Sequence, residues 1–440
     1  MIGGGILFTP PQIAAAIPHP SWFLAAWLAG GALAFAGAMA YAELAAVRPQ
    51  AGGEYVYLNA AFGRLAAFLT GWTSFVAGFA GAIATSAIVV PLYVDRFVPG
   101  AADPAPLVVV PLPFVPLTVS RQSIVALAAI FVLAWIHVRG VGPGRVVGNV
   151  LAVLKVSTLV MFIALGVAIG SGSTANFGAV AGRVTPASWL LALIPVMFTY
   201  SGWNAAGYIA EELRDPDRNV PRAFAIGTAS VIALYVTLNV LYLYVMPVDA
   251  LGRLQGSVLD VVADRLLGAR AGNVMGFVSI VGLMATISAM TFAGPRVYYA
   301  MARDGVFFPQ AARVHSRYQT PAVAIVAQAV WSGLLVLSGS ASALTRYTGF
   351  AVVLFSGIAV AALFVLRFRE PSSRRPFRAI GYPVAPAIFV LASAAIVVNA
   401  VWNDPRPTGA GLLVMVLGVP LYLWLTRSRQ SRTGGKSASD

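Results

Sequence analysis

Phe198-Thr199-Tyr200-Ser201-Gly202-Trp203-Asn204 cuts through the middle of an apolar run covering residues 187–210, and Gly3-Gly4-Gly5 cuts through another at the start of the chain. Counted along the sequence, the glycine triplet falls in the first apolar run and the second interruption in the sixth. An interval of five is what two inverted five-helix halves require when each half breaks its first helix. Three consecutive glycines cost a helix about 1 kcal/mol each relative to alanine and let the backbone turn with φ above zero. Proline reinforces both places: Pro10 and Pro11 follow the triplet, and Pro195 stands just before Phe198. Taken singly, a frayed end and a Ser-Gly packing contact explain each interruption equally well. Their matched placement favours a pair of broken helices.

Outward from these two points, further apolar runs lie near 22–44, 65–94, 121–137, 147–170, 222–246, 270–302, 320–338, 344–366, 384–402 and 408–426, beside those at 1–17 and 187–210. The chain is 59% hydrophobic and 10% charged with mean hydropathy +0.82, against about 25% charged in ordinary soluble domains. Runs of this length cross a hydrocarbon core of about 30 Å, and in lipid only helices satisfy their own backbone groups within one segment. The expected fold is an all-α polytopic membrane protein: a first repeat over 1–170, an inverted second repeat over 187–366, two additional helices over 384–426 and a tail over 427–440.

The net charge of +14 is spread over short loops instead of forming one basic face, which argues against nucleic acid as a partner. Assigning alternate loops to opposite sides places 19 of the 29 basic residues on one side, among them Arg48, Arg139, Arg222, Arg367 and Lys436. The other side holds eight, including Arg96, Arg121, Arg253 and Arg346. By the positive-inside rule the richer side is cytoplasmic and the C-terminus lies there, in the inner membrane. Cysteine is absent, which removes disulfides, thiolate metal sites and a cysteine nucleophile. His19, His137 and His315 make no metal-ligand spacing, so neither metal nor cofactor is expected. Trp22, Tyr93, Trp402 and Trp424 read as interfacial anchors.

The chemistry follows from the interruptions. A half helix beginning at the glycines presents unpaired N–H groups and a positive dipole end, which suit a carboxylate, while unwound carbonyls near Phe198 suit an ammonium group. A zwitterionic amino acid carries both. Lys155, one of only two lysines, lies about ten residues (15 Å of helix) past Arg145, near the middle of its span. An ammonium there costs at least about 2.5 kcal/mol, so it is expected to face the bundle interior and serve as a proton carrier or as a fixed cation where other transporters hold sodium. The orientation makes the half helix run outward from Met1, so an upstream stretch of about 20–40 residues is expected to complete the first span.

These segments resemble the amino acid, polyamine and organocation transporter superfamily, in particular its bacterial L-amino-acid-transporter-like members. Gly3-Gly4-Gly5-Ile6-Leu7-Phe8-Thr9-Pro10 is similar to the family's GSGIF-x-TP element. Tyr41-Ala42-Glu43-Leu44 with Arg48-Pro49-Gln50-Ala51-Gly52-Gly53-Glu54-Tyr55-Val56-Tyr57-Leu58 is similar to its second-helix exit. Phe198–Asn204 with Glu211-Glu212, and Arg296–Gly305, resemble its sixth- and eighth-helix signatures. The resemblance implies the LeuT-like five-plus-five fold and alternating access around a mid-membrane site. It assigns carboxylate binding to Gly3, Gly4 and Gly5, and amine binding to carbonyls around Phe198 and Ser201, beside Gly202 and Trp203. It also makes the Phe198 ring a lid, Lys155 the substitute for sodium and Glu43 a candidate inner-gate residue, if it does not merely solvate a helix end. Gly4 and Leu7 depart from the family's serine and phenylalanine, which removes a hydroxyl from the carboxylate pocket. Escort subunits of animal members pair through a cysteine, so a chain without one is expected to stand alone.

The expected function is sodium-independent amino acid transport by exchange or proton symport. The alternatives are a polyamine or organic-amine transporter of the same fold, or a truncated, non-transporting relative. A membrane enzyme would need a polar catalytic set at one interface, and no such spacing occurs. Glu211-Glu212-Leu213-Arg214-Asp215-Pro216-Asp217 reads as an ion-paired loop instead of a metal cluster.

Overall fold

The structure, a computed structural model, describes residues 2–50, 52–112, 115–208, 210, 214–254, 257–339 and 341–434. Met1, Glu211-Glu212-Leu213 and residues 435–440, all of which entered the sequence reading, lie outside the described residues. From the N-terminus, α1 (Gly5–Ala16) leads to α2 (Pro20–Val47), α3 (Glu54–Phe62) and one long span built from α4 (Arg64–Thr73), a π-helical turn (Ser74–Phe79) and α5 (Ala80–Val94). A hairpin of β1 (Pro106–Val110) and β2 (Leu117–Ser120) precedes α6 (Arg121–Val138) and α7 (Val141–Ile169). Then α8 (Pro186–Tyr200) and α9 (Ala205–Tyr208) flank the second interruption. They are followed by α10 (Pro216–Val245), α11 (Val248–Gly252), α12 (Leu259–Leu267), α13 (Ala269–Arg303), α14 (Ala322–Ser338) and α15 (Ala341–Arg369). The chain ends in α16 (Val384–Asn403), α17 (Pro405–Val416) and α18 (Gly418–Gly434). Among the described residues eight helices are long and apolar enough to cross a membrane, so the chain is an all-α polytopic membrane protein.

These helices are apolar all round, as lipid demands of a span that also has a packed face. On α7, Val153 and Val167 are more than two-thirds exposed, whereas Leu159 and Phe162 are buried. Packing inside the bundle relies on small residues that let helices approach closely. A Cβ on Gly31 of α2 would stand 3.0 Å from Ile232 of α10, and one on Gly37 would stand 2.8 Å from the Phe389 ring of α16. Several ion pairs join arginines to acids near the same end of the bundle: Arg48 with Glu370 and Arg374 with Asp217 at one, Arg96 with Asp260 and Asp264 and Arg346 with Asp404 at the other.

Three expectations change. The run at 408–426 is two helices, because Pro420 has no N–H to offer the carbonyl of Val416 and the chain breaks between α17 and α18. Tyr93 is not an interfacial anchor: it is fully buried, and its hydroxyl donates to the Leu7 carbonyl at 2.7 Å, tying α5 to α1. Trp22, Trp402 and Trp424 are exposed as expected. The hairpin, α3, α11 and α12 were not foreseen, each being shorter than a span.

Candidate functional site

Both interruptions end up in the centre of the bundle, with α1 packed along α8. At Gly5 an added Cβ would stand 2.8 Å from the Cα of Thr199, so glycine is needed for the close crossing of two helices. The hydroxyls of Thr9 and Thr199 meet at 2.7 Å across the same crossing. Gly4 has ordinary helical angles (φ −56°, ψ −33°), and Gly3 and Gly5 also keep negative φ, so the expected left-handed turn at the triplet does not occur. A Cβ on Gly4 would approach Leu283 and, at 3.1 Å, the Ser86 hydroxyl. The triplet is there for want of side chains, and it leaves the first amides of α1 without intrahelical partners.

The second interruption is a true unwinding. α8 stops at Tyr200, Gly202 takes φ +89°, and α9 starts at Ala205. The Phe198 carbonyl, expected to be open to an ammonium group, already accepts from the Ser201 amide (3.1 Å) and the Ser201 hydroxyl (2.6 Å). Any carbonyl offered to a ligand here therefore comes from further along the break.

A cavity of about 780 Å³ opens where the two interruptions meet. Gly3, Gly4, Gly5, Lys155, Phe198, Ser201, Gly202 and Trp203 all line it, so the residues singled out for substrate and for the sodium substitute come together in one place. Lys155 is 9% exposed on a helix whose neighbouring Val153 and Leu154 are exposed. Its ammonium donates to the Ile2 carbonyl just before α1, and its stem runs past Gly282 of α13, where a Cβ would stand 3.0 Å from Cδ. The Phe198 ring is almost wholly buried at the cavity wall.

Glu43 lies elsewhere. It is fully buried and accepts from Arg367 Nε (2.9 Å) and Nη2 (2.6 Å), Arg375 Nη1 (3.0 Å) and the Ala379 amide (2.7 Å). The reading of Glu43 as a solvated helix end is therefore corrected: it clamps α2 to the segment leaving α15.

Several cavity residues escaped the sequence reading. Ser86 and Thr286 line it, as do Thr199, quoted above only as part of the interruption, and His137, weighed above only as a metal ligand, whose Nε2 lies 2.8 Å from the Ser288 hydroxyl. A smaller cavity of about 130 Å³ adjoins it across the break. Its wall includes Glu54, whose Oε1 accepts from the Tyr41 hydroxyl (2.7 Å) and Asn204 Nδ2 (2.9 Å). Burial pushes the Glu54 carboxyl up from the usual carboxylate range, against the lowering effect of these hydrogen bonds. At the other end of the bundle, Asp264 pairs with Arg96 through two bonds of 2.7 Å and pushes the guanidinium up.

Residues 1–425 match the family described as Amino acid permease. The human b(0,+)-type amino acid transporter 1 is 30% identical over 432 residues, covering 97% of this chain and 84% of its own. The human large neutral amino acids transporter small subunit 2 is 28% identical over 439 residues (96% and 77%), and the human cystine/glutamate transporter 28% over 427 residues (96% and 81%). The paired interruptions, the polytopic helical fold and a match over nearly the whole length agree: this chain belongs to the amino acid permease family, a family of membrane transporters and not of enzymes.

Proposed function

We propose that this chain carries amino acids across the cytoplasmic membrane by alternating access, without sodium, as an exchanger or a proton symporter. The observation that supports this most is the convergence of the α1 start, the 201–204 break and Lys155 on one cavity. Amides at the start of α1 receive the substrate carboxylate, with the helix dipole adding to their pull. Carbonyls of the break beyond Phe198 receive the ammonium group, and Phe198 covers the bound substrate. Lys155 supplies a fixed positive charge at the place where sodium-coupled transporters of this architecture hold their ion. The same reading has the chain working without a disulfide-linked escort and with its C-terminus in the cytoplasm, as the arginine distribution favours.

Uptake of labelled amino acids into proteoliposomes tests it, with sodium present or replaced by choline, and with or without internal amino acid or a proton gradient. Saturable uptake indifferent to sodium and abolished by Lys155→Ala is expected. Uptake that requires sodium would overturn the ion assignment, and no uptake of any amino acid by correctly folded protein would overturn the substrate assignment.

A further inference from the structure

Glu54 begins α3, outside the helices long enough to span, yet it is 6% exposed and held at the heart of the bundle. Tyr41 reaches it from α2 and Asn204 from the break, while Asn204 also donates to the Tyr208 hydroxyl of α9 at 3.0 Å. The titratable groups facing this cluster are Tyr41, Tyr57 from α3 and Tyr208, with Tyr298 of α13 beyond Tyr208. From α15 the Ser356 hydroxyl is bonded to Tyr41, and Thr348 lines the same cavity. Among the described residues no lysine or arginine forms an ion pair with Glu54, in contrast to Glu43, which has two guanidiniums.

A carboxylate out of water without a cation is costly, and taking up a proton relieves that cost. Oε1 accepts from Tyr41 and Asn204, the Tyr208 hydroxyl also bonds the carboxyl, and a phenol hydroxyl can turn from donating to accepting when the carboxyl takes up a proton. The arrangement thus tolerates both forms of the carboxyl.

Position connects this group to the substrate. Ser201, Gly202 and Trp203 line both cavities, and Asn204, the next residue, holds Glu54. The break is thus a shared wall with substrate on one face and the carboxyl on the other. We propose that Glu54 is the site where this transporter binds and releases the proton that drives amino acid movement, its state passing to the substrate cavity through Asn204. The proton comes from water on one side of the membrane, rests on the Glu54 carboxyl, and leaves to water on the other. This rests on the reading of the chain as an amino acid transporter, and it decides for proton symport over pure exchange.

Two readouts test it. In proteoliposomes without a membrane potential, one proton per amino acid sets a ceiling of about tenfold accumulation per pH unit of gradient. The unaltered protein should accumulate substrate toward that ceiling, and Glu54→Gln should not accumulate at all. Glu54→Asp should restore accumulation with a displaced pH profile, and Tyr41→Phe, which removes a donor from the ionised form, should move proton release to higher pH. Independently of transport, pH-difference infrared spectra of the purified protein should contain a carboxylic acid C=O band that disappears in Glu54→Gln. Full accumulation by Glu54→Gln, or an unchanged infrared difference, overturns the proposal while amino acid transport stands. A titrating band in a protein that carries no amino acid supports the proton site and overturns the substrate reading instead.

Discussion

Replacing Glu43 by glutamine should destabilise the protein by about 3 kcal/mol. Four hydrogen bonds converge on its carboxylate from Arg367, Arg375 and the Ala379 amide, at 2.6 to 3.0 Å. Glutamine preserves the shape and one acceptor oxygen, but turns an NH2 group toward the other donors and removes the charge facing two guanidiniums. Breaking a buried ion pair by removing one partner costs about 3–5 kcal/mol. Arg375 is 9% exposed in its side chain and keeps the full penalty, whereas Arg367, at 20%, recovers part of it from water, which argues for the lower end. The measurement is equilibrium unfolding in mixed micelles of mild detergent and dodecyl sulfate, with Arg375→Gln and the double variant closing a thermodynamic cycle. Residues in one ion network are expected to couple by about 0.5–3 kcal/mol. Because Glu43 lies outside the cavity, the half-saturation constant for substrate should stay where it is. A loss below about 1 kcal/mol with an additive double variant would refute the clamp. A changed transport rate at unchanged stability would return Glu43 to the role of a gate, since a contact broken in every cycle cannot also hold every state together.

Gly5→Ala places a Cβ 2.8 Å from the Thr199 backbone, so overpacking of about 1–3 kcal/mol and a marked fall in uptake are expected. Gly227→Ala, where a Cβ meets nothing within 4 Å, should lose no thermal stability in the same assay. Tyr93→Phe deletes the hydrogen bond to the Leu7 carbonyl and should cost about 0.5–1.5 kcal/mol of unfolding free energy. Because the chain contains no cysteine, Ser437→Cys and Ala105→Cys report sidedness directly: in intact cells an impermeant thiol reagent should label Ala105→Cys and spare Ser437→Cys, and the reverse pattern would invert the orientation.

The second interruption was legible because its signals are local: serine, glycine and asparagine inside an apolar run, with Gly202 taking the left-handed φ that only glycine adopts freely. Lys155 was legible because a charge inside a span has few places to go. The glycine triplet was legible as an interruption but not in its cause, since Gly5 answers to Thr199, a residue distant in sequence, and no local pattern announces that crossing. Glu54 was quoted as part of a motif and given no task, because a carboxylate in a polar stretch between helices ordinarily faces water. Its burial comes from Tyr41, Asn204 and Tyr208, brought from other segments by the fold. His137 was set aside on metal spacing alone, and only its meeting with Ser288 of α13 brings it to the cavity. The hairpin went unseen for a simpler reason: its strands are far shorter than a span.

Charge distribution around the larger cavity bears on which solutes the site favours. Its described lining includes the Lys155 ammonium and the positive end of α1, and no aspartate or glutamate. The ammonium is held by a backbone carbonyl of Ile2, which satisfies a hydrogen bond without cancelling the charge. A ligand carboxylate about 4 Å away would gain roughly 4 kcal/mol at an effective dielectric near 20, and a ligand ammonium in the same place would lose as much. That difference works against a polyamine, which brings only positive charge, and in favour of a solute that carries a carboxylate. On the same reading the amine of such a solute would be directed away from Lys155, toward the unwound segment beyond Phe198, where Gly202 brings backbone to the cavity wall without a side chain. On the function proposed above, the two polar ends of an amino acid would meet the two interruptions in complementary order, and its side chain would be left to the wall formed by α13, where Thr286, Ser288 and Met290 line the cavity with His137.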